Sequence, residues 1–126
     1  MEIKKVLVVD DDDFYRNLMI ESCQKKGTFA VFKGARSGEE ALENYKNLGG
    51  FDLVISDMVM SVLGGIDLAK EILSINSEQS FLFVSSDPRY GMIVESFDKK
   101  TREKMLLIGK PFTFDMFEKK LNELGF

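Results

Sequence analysis

The chain has 126 residues, of which 44% are hydrophobic and 30% charged, and its formal net charge is −4. This composition is typical of one folded domain and argues against disorder, while the acidic balance argues against binding to nucleic acids or anionic membranes. Cys23 is the single cysteine and histidine is absent, which excludes an internal disulfide, a multi-cysteine zinc site and Ser-His-Asp catalysis.

The apolar runs are short throughout the chain. The first covers only Val6–Val9, which is too short for the apolar core of a signal peptide, and no other run approaches the length of a membrane span. We therefore expect a cytoplasmic protein with no membrane contact.

Two strand–helix units are predicted in the first half of the chain. Residues 6–9 are typical of a strand buried on both faces, and the amphipathic helix that follows ends at Gly27. Residues 28–33 alternate between apolar and polar side chains and predict a second strand. A capping box that begins at Ser37 predicts a helix over residues 38–47.

Three further units are predicted in the second half. The strands are expected at residues 53–55, 81–84 and 105–108. The helices are expected around residues 66–73, within residues 89–101, and after a capping residue at Thr113. Strands that alternate with helices in this way predict an α/β fold, (βα)₅, in which a doubly wound five-stranded parallel sheet has strand order 2-1-3-4-5. We expect a single domain over residues 1–126.

Acidic residues follow two of these strands. Asp10 and Asp11 come directly after the first strand, and Asp57 ends the third, so all three should meet at the carboxyl edge of the sheet, where such folds bind ligands. Carboxylates at close range raise one another's pKa unless a cation neutralises them, and an all-oxygen ligand set favours Mg²⁺, Ca²⁺ or Mn²⁺. Taken alone, the acidic junction after the first strand could equally serve only to cap the first helix, and Asp12 or Asp13 is assigned to that role. Asp57 taken alone would be interpreted first as a turn residue before Gly64-Gly65.

A hydroxyl and a lysine follow two other strands. Ser85 ends the fourth strand, and Lys110 comes directly after the fifth, from where its ammonium could reach the carboxylates. Each has an ordinary alternative, because a serine is a common polar strand terminus and most lysines are solvated.

The sequence resembles the receiver domains of two-component response regulators, including the chemotaxis regulators. The resemblance lies in the order of the acid pair, the third acid, the hydroxyl and the lysine along the chain. The resemblance covers essentially the whole chain and implies a flavodoxin-like fold. The matching segments are Val8-Val9-Asp10-Asp11-Asp12, residues 52–60, Gly65, Val84-Ser85-Ser86 and Lys110-Pro111-Phe112.

The resemblance implies that this is a phosphoacceptor signalling domain rather than an enzyme acting on other substrates. Asp57 would accept a phosphoryl group from a histidine kinase, with Mg²⁺ as the cofactor. Asp11 would bind the metal directly and Asp10 through water, and the backbone carbonyl of Val59 would complete the protein ligands. This arrangement suits phosphoryl transfer, which needs an in-line nucleophile, here the Asp57 carboxylate, and positive charge near the phosphoryl oxygens, here from Mg²⁺ and Lys110.

The resemblance also assigns the remaining contacts and the partners. The Ser85 hydroxyl and the Lys110 ammonium would contact the phosphoryl oxygens, and the peptide bond between Lys110 and Pro111 would be cis. The donor would be a sensor histidine kinase or a phosphotransfer protein. The output partner is not identified, and a homodimer is left open.

The sequence departs from the family pattern at two informative positions. Leu107 stands where the family usually has Tyr or Phe, and Ser61 stands where it usually has Pro. We therefore expect phosphorylation to be read out by the loops at Val59–Gly64 and Ser86–Tyr90, or by a changed dimer contact. Two alternatives are a pseudo-receiver that works without phosphorylation and, less favoured, a hydrolase with an aspartyl-phosphate intermediate.

Overall fold

The computed structural model describes residues 4–87 and 89–126. Five strands form a parallel sheet in the order β2-β1-β3-β4-β5, which confirms the predicted topology. The strands are β1 (Lys5–Val9), β2 (Val31–Ala35), β3 (Leu53–Asp57), β4 (Ser80–Ser85) and β5 (Met105–Gly109).

Helices connect the strands and cover both faces of the sheet. They are α1 (Asp13–Lys26), α2 (Gly38–Leu48), α3 (Gly65–Ile75), α4 (Tyr90–Val94), α5 (Lys99–Arg102) and α6 (Phe114–Glu123). The predicted caps are present, because Asp12, Ser37 and Thr113 each accept a hydrogen bond from a backbone N–H in the first turn of the following helix. Gly27 ends α1 with a φ of 81°, as expected for a left-handed helix cap.

The core lies in two layers, one on each face of the sheet. Successive residues of a strand point to opposite faces, so Val6 and Val8 belong to one layer and Leu7 and Val9 to the other. The first layer is closed by α1 and α6, and the second by α2 and α3 together with partly buried residues of α4. The carboxyl ends of the strands remain uncovered by helices and form the edge at which the predicted site residues lie.

The second strand begins later than predicted. Residues 28–30 precede it, and β2 runs from Val31 to Ala35 in register with Lys5–Val9 of β1. The side chain of Phe29 is instead buried in the core and stacks on Phe126, with 5.3 Å between the ring centroids. An alternating pattern fixes which residues face inward, but the register with β1 decides where the strand starts.

The helical region predicted over residues 89–101 is two short helices, α4 and α5, rather than one. The chain leaves α4 after Val94, and Asp98 then caps α5 by accepting a hydrogen bond of 2.8 Å from the Thr101 N–H. After Val94 the backbone forms three-residue turns, in which the Ser96 N–H donates to the Ile93 carbonyl and the Phe97 N–H to the Val94 carbonyl, so α4 does not continue into α5.

Within the described ranges, no helix combines the length and the apolar character needed to cross a membrane. Two of the sequence predictions extend beyond those ranges. Residues 1–3 of the predicted domain and Pro88 of the predicted read-out loop lie outside the described residues.

Candidate functional site

Three carboxylates meet at the carboxyl edge of the sheet. Strands β1 and β3 are neighbours, with Val9 paired to Ser56, so the residues that follow them lie side by side. Asp10, Asp11 and Asp57 each bring one carboxylate oxygen to within 4.8 Å of the others. Asp10 is fully buried, Asp57 is 8% exposed and Asp11 faces solvent, so the cluster is open on one side.

The loop between β1 and α1 fixes Asp10. Its Oδ1 accepts a hydrogen bond of 2.9 Å from the Asp12 N–H, and its own N–H donates to the Ala35 carbonyl at 3.1 Å. Its carbonyl accepts a hydrogen bond of 2.9 Å from Arg16, whose guanidinium also pairs with Asp13. The backbone and one carboxylate oxygen are therefore held, and the second oxygen, Oδ2, points toward Lys110.

Lys110 follows the edge strand β5, and its side chain extends along the carboxyl edge of the sheet to the acids. Its Nζ atom lies 3.0 Å from Oδ2 of Asp10 and 3.6 Å from Oδ1 of Asp57. The same Nζ atom lies 4.2 Å from the ring centroid of Tyr15. The Lys110 N–H donates to the Ser85 carbonyl at 2.8 Å, and the peptide bond between Lys110 and Pro111 is cis, as predicted.

The charges in this cleft shift one another's proton affinities. Burial raises the pKa of Asp57 to about 6, and the neighbouring Asp10 charge adds to this effect while Lys110 opposes it. Burial lowers the pKa of Lys110, but the hydrogen bond to Asp10 and the charge of Asp57 outweigh it, so this pKa lies above its usual value. Burial and the Asp10 charge thus disfavour the ionised form of Asp57, and a further cation in the cleft would stabilise it.

The other predicted contacts are nearby but less directly engaged. Ser85 ends β4 and is 4% exposed, and its hydroxyl donates to the Asp87 carbonyl at 3.1 Å and accepts from the Asp87 N–H at 3.0 Å. The structure therefore brings the Ser85 backbone to Lys110, while the Ser85 hydroxyl is hydrogen-bonded to the Asp87 backbone. Val59, two residues after Asp57, is 57% exposed in the loop that leads to α3.

A close contact between β3 and α3 sets the path of this loop. The Gly65 N–H donates to the Met58 carbonyl at 3.1 Å, and the Met58 N–H donates to the Val84 carbonyl at 2.9 Å. A Cβ atom on Gly65 would overlap the Asp57 carbonyl oxygen and lie 3.0 Å from Cα of Met58. A residue without a side chain is therefore required here to keep Asp57 at the cluster.

Leu107 does not lie in the acid cluster. It is partly buried and packs with the second core layer, to which Tyr90, Val94 and Phe97 also contribute partly buried side chains. Two aromatic side chains, Tyr90 and Phe97, thus belong to the same core layer as Leu107.

The donor set fits a hard divalent cation. The clustered ligand atoms are all carboxylate oxygens, which Mg²⁺ and Ca²⁺ prefer, and one of the three residues is open to solvent, where water can complete the coordination. The net charge of the three acids also exceeds what Lys110 alone neutralises.

Two residues that contact this cluster were not predicted as site residues. Tyr15 and Arg16 both lie in the amphipathic helix predicted after the first strand, and Tyr15 contacts Lys110 while Arg16 contacts the Asp10 carbonyl. The spacing of apolar residues along the first helix cannot predict that the Tyr15 ring contacts Lys110, because this contact joins residues far apart in the chain. An arginine close behind an acid pair is the only signal that could have pointed to Arg16.

The comparisons with known proteins agree on one family. Residues 6–122 match the family model of the response regulator receiver domain. The chemotaxis protein CheY of Thermotoga maritima is 32% identical over 122 residues, which covers 97% of this chain and 98% of that protein. The chemotaxis protein CheY of Bacillus subtilis is 30% identical and is covered to 95%, with 94% of this chain aligned.

A solved structure supports the same relationship. The response regulator protein TrrA from Thermotoga maritima, determined in complex with Mg²⁺–BeF, is 29% identical, with a TM-score of 0.79 over 97% of this chain and 99% of that chain. The similarity thus extends over the sheet, the helices and the edge at which the acids cluster.

Proposed function

The chain belongs to the response regulator receiver family, and from this premise we propose that Asp57 accepts a phosphoryl group in a Mg²⁺-dependent reaction. The donor would be a phosphohistidine of a sensor histidine kinase or phosphotransfer protein, since this chain has no histidine. The chain would catalyse nothing beyond its own phosphorylation and dephosphorylation. Phosphorylation would change its contacts with a partner or with a second copy.

The observation that supports this most strongly is the position of Lys110 beside two of the three clustered carboxylates, 3.0 Å from Asp10 and 3.6 Å from Asp57. A carboxylate nucleophile needs positive charge close to the oxygens on which negative charge develops. Asp57 attacks the phosphorus, the bond from phosphorus to the donor nitrogen breaks, and Lys110 remains close enough to pair with a phosphoryl oxygen. Lys110 thus binds and orients the group but does not form a bond to it.

We assign the metal to Asp10, Asp11, Asp57 and the Val59 carbonyl. When bound there, Mg²⁺ supplies positive charge that reduces repulsion between the carboxylates and the incoming phosphoryl oxygens. Asp11 is the exposed member of the cluster and can donate an oxygen without losing any contact to Lys110.

Ser85 would take part only after an exchange of hydrogen bonds. Its hydroxyl now donates to the Asp87 carbonyl, and it would donate instead to a phosphoryl oxygen on Asp57. The loop at Asp87 would then lose a contact, which gives phosphorylation a direct route to the start of α4.

Intact-mass spectrometry after incubation with acetyl phosphate tests this proposal. The wild-type chain should gain one phosphoryl group with Mg²⁺ and lose that gain when a chelator is added, while Asp57→Asn should gain none because an amide is not a nucleophile. Asp12→Asn is the matched control, since Asn caps a helix as well as Asp does and should leave the gain intact. A wild-type chain that gains nothing would favour the pseudo-receiver instead.

A further inference from the structure

We propose that Tyr15 is a positioning residue for Lys110, and that its aromatic face holds the ammonium between Asp10 and Asp57. This inference rests on the proposed function only for its consequence in phosphoryl transfer. The contact itself is a property of the unphosphorylated chain.

The geometry is that of a cation–π contact. The Nζ atom of Lys110 lies 4.2 Å from the ring centroid of Tyr15, well inside the distance of about 6 Å over which such contacts are attractive. The Lys110 side chain is only 13% exposed, so water competes weakly for the ammonium. The ring thus forms one wall of the site that receives the lysine, and the carboxylates form the other.

The ring is held in place by its neighbours. Tyr15 lies in the first turn of α1, where Phe14 meets it edge-on at 5.3 Å between ring centroids. Phe112 lies 6.0 Å from the Tyr15 ring centroid and stacks on Phe117 of α6. Because α1 and α6 cover the same face of the sheet, their packing sets the distance between Tyr15 and Lys110.

The neutral ring of Tyr15 can hold Lys110 in the cleft even when a metal ion binds the carboxylates. Lysine has a flexible four-carbon stem, and fixing it costs side-chain entropy. Asp10 and Asp57 attract the ammonium, but they are also the carboxylates that would bind a metal, and a cation that shares them weakens this attraction. The face of Tyr15 is not shared in this way and continues to hold Lys110 in the cleft.

The first test measures the lysine itself, in metal-free protein and without a phosphodonor. Nitrogen-15 relaxation of lysine ammonium groups by NMR should show that Lys110 becomes more mobile in Tyr15→Leu but not in Tyr15→Phe. Pentafluorophenylalanine in place of Tyr15 keeps the ring shape and removes the negative face, so it should behave like Leu. Lys25, which lies 4.5 Å from the Phe114 ring, should be unchanged in every Tyr15 variant.

The second test measures the rate of phosphorylation by acetyl phosphate with Mg²⁺. Replacing the ring or inverting its charge distribution should lower the rate about two- to tenfold, the range expected for a partly desolvated cation–π contact. Tyr15→Phe should stay within about twofold of the wild type, since Phe retains the negative face that the cation contacts. Phe114→Leu is the matched control, because it removes a similar contact away from the cleft and should have no effect.

The outcomes separate the two proposals. If the phenylalanine and pentafluorophenylalanine chains have the same Lys110 mobility and the same rate, the ring acts only by packing and the inference is overturned. This comparison stands even if Tyr15→Leu fails to fold. If no chain is phosphorylated but Lys110 mobility follows the ring charge, the proposed function fails while Tyr15 remains the residue that positions Lys110.

Discussion

The ammonium of Lys110 donates a hydrogen bond of 3.0 Å to a carboxylate oxygen of Asp10, although the two residues are 100 positions apart in the chain. Strands β1 and β5 are not neighbours, since β3 and β4 lie between them in the sheet. Only a long side chain can bridge that span, and the resulting ion pair crosses the end of β3, where Asp57 lies. Any ligand that binds the acids must therefore compete with Lys110 or share the cleft with it.

We expect Mg²⁺ to bind weakly and to depend on Asp11. Mg²⁺ keeps several waters when few protein ligands are offered, and Lys110 already neutralises part of the charge. Asp11→Asn should weaken binding by about tenfold or more, as loss of metal-site groups generally does. The chain has no tryptophan, so an NMR titration is the suitable measurement. Asp12→Asn should bind as the wild type does, and equal affinities for all three chains would contradict the assignment.

In the metal-free chain, the contribution of Asp57 to the free energy of unfolding should fall as pH rises from about 4 to 7. Burial raises the pKa of Asp57 from 3.8 to about 6, so the native state binds more protons than the unfolded state between these values. The protonated Asp57 therefore contributes its full stability below pH 3.8, and this contribution is lost as the pH rises through about 6. The difference corresponds to about 3 kcal/mol in the free energy of unfolding.

Asp57→Asn should remove most of this pH dependence, because the amide stays neutral throughout. Urea unfolding of both chains with a chelator present checks the prediction, and the variant should be the more stable chain at pH 7. A constant difference between the two chains across this pH range would mean that Asp57 titrates normally.

Gly65→Ala should destabilise the chain and disturb the acceptor. A Cβ atom there would overlap the Asp57 carbonyl, and forcing a methyl group into a packed site typically costs about 1–3 kcal/mol. Phosphorylation by acetyl phosphate should slow in parallel. Gly91→Ala is the matched control, because its Cβ atom would meet only the end of the Leu107 side chain at 3.8 Å. Equal unfolding free energies for the two variants would contradict this reading of the loop.

The response to phosphorylation should centre on the loops rather than on β5. Leu107 is partly buried against the core and has no polar tip, so it gains nothing from turning outward. Backbone NMR shifts on adding beryllofluoride and Mg²⁺ should be largest at Val59–Gly64 and at residues 86–90. If the largest shifts fall on β5 and α6 and Leu107 changes rotamer, this prediction is wrong, and the response is transmitted through β5 even with Leu in place of the family's usual Tyr or Phe.

The alternation of strands with helices and the position of the acids could be predicted from local patterns, while the strand order followed from the doubly wound architecture that this alternation and the family resemblance imply. An apolar run followed by an acid identifies the end of a buried strand, and parallel strands bring such ends to one edge, which is why Asp10, Asp11 and Asp57 were placed together correctly. The caps at Ser37 and Thr113 were predictable for the same reason.

What could not be predicted depends on contacts between distant segments. The start of β2 is set by its register with β1, and the contact of Tyr15 with Lys110 depends on how α1 packs against α6. The hydrogen bonds of Ser85 to Asp87 likewise follow from the path of a loop, which its residue types do not determine.

The most direct test of the central claim is to locate the phosphoryl group on the chain. Borohydride reduces an aspartyl phosphate to homoserine, so peptide mapping after treatment with acetyl phosphate, Mg²⁺ and borohydride identifies the modified residue. The account predicts homoserine at position 57, at no other aspartate, and only when Mg²⁺ is present. Homoserine at position 10 or 11, or a phosphorylated chain with Asp57 intact, would contradict it.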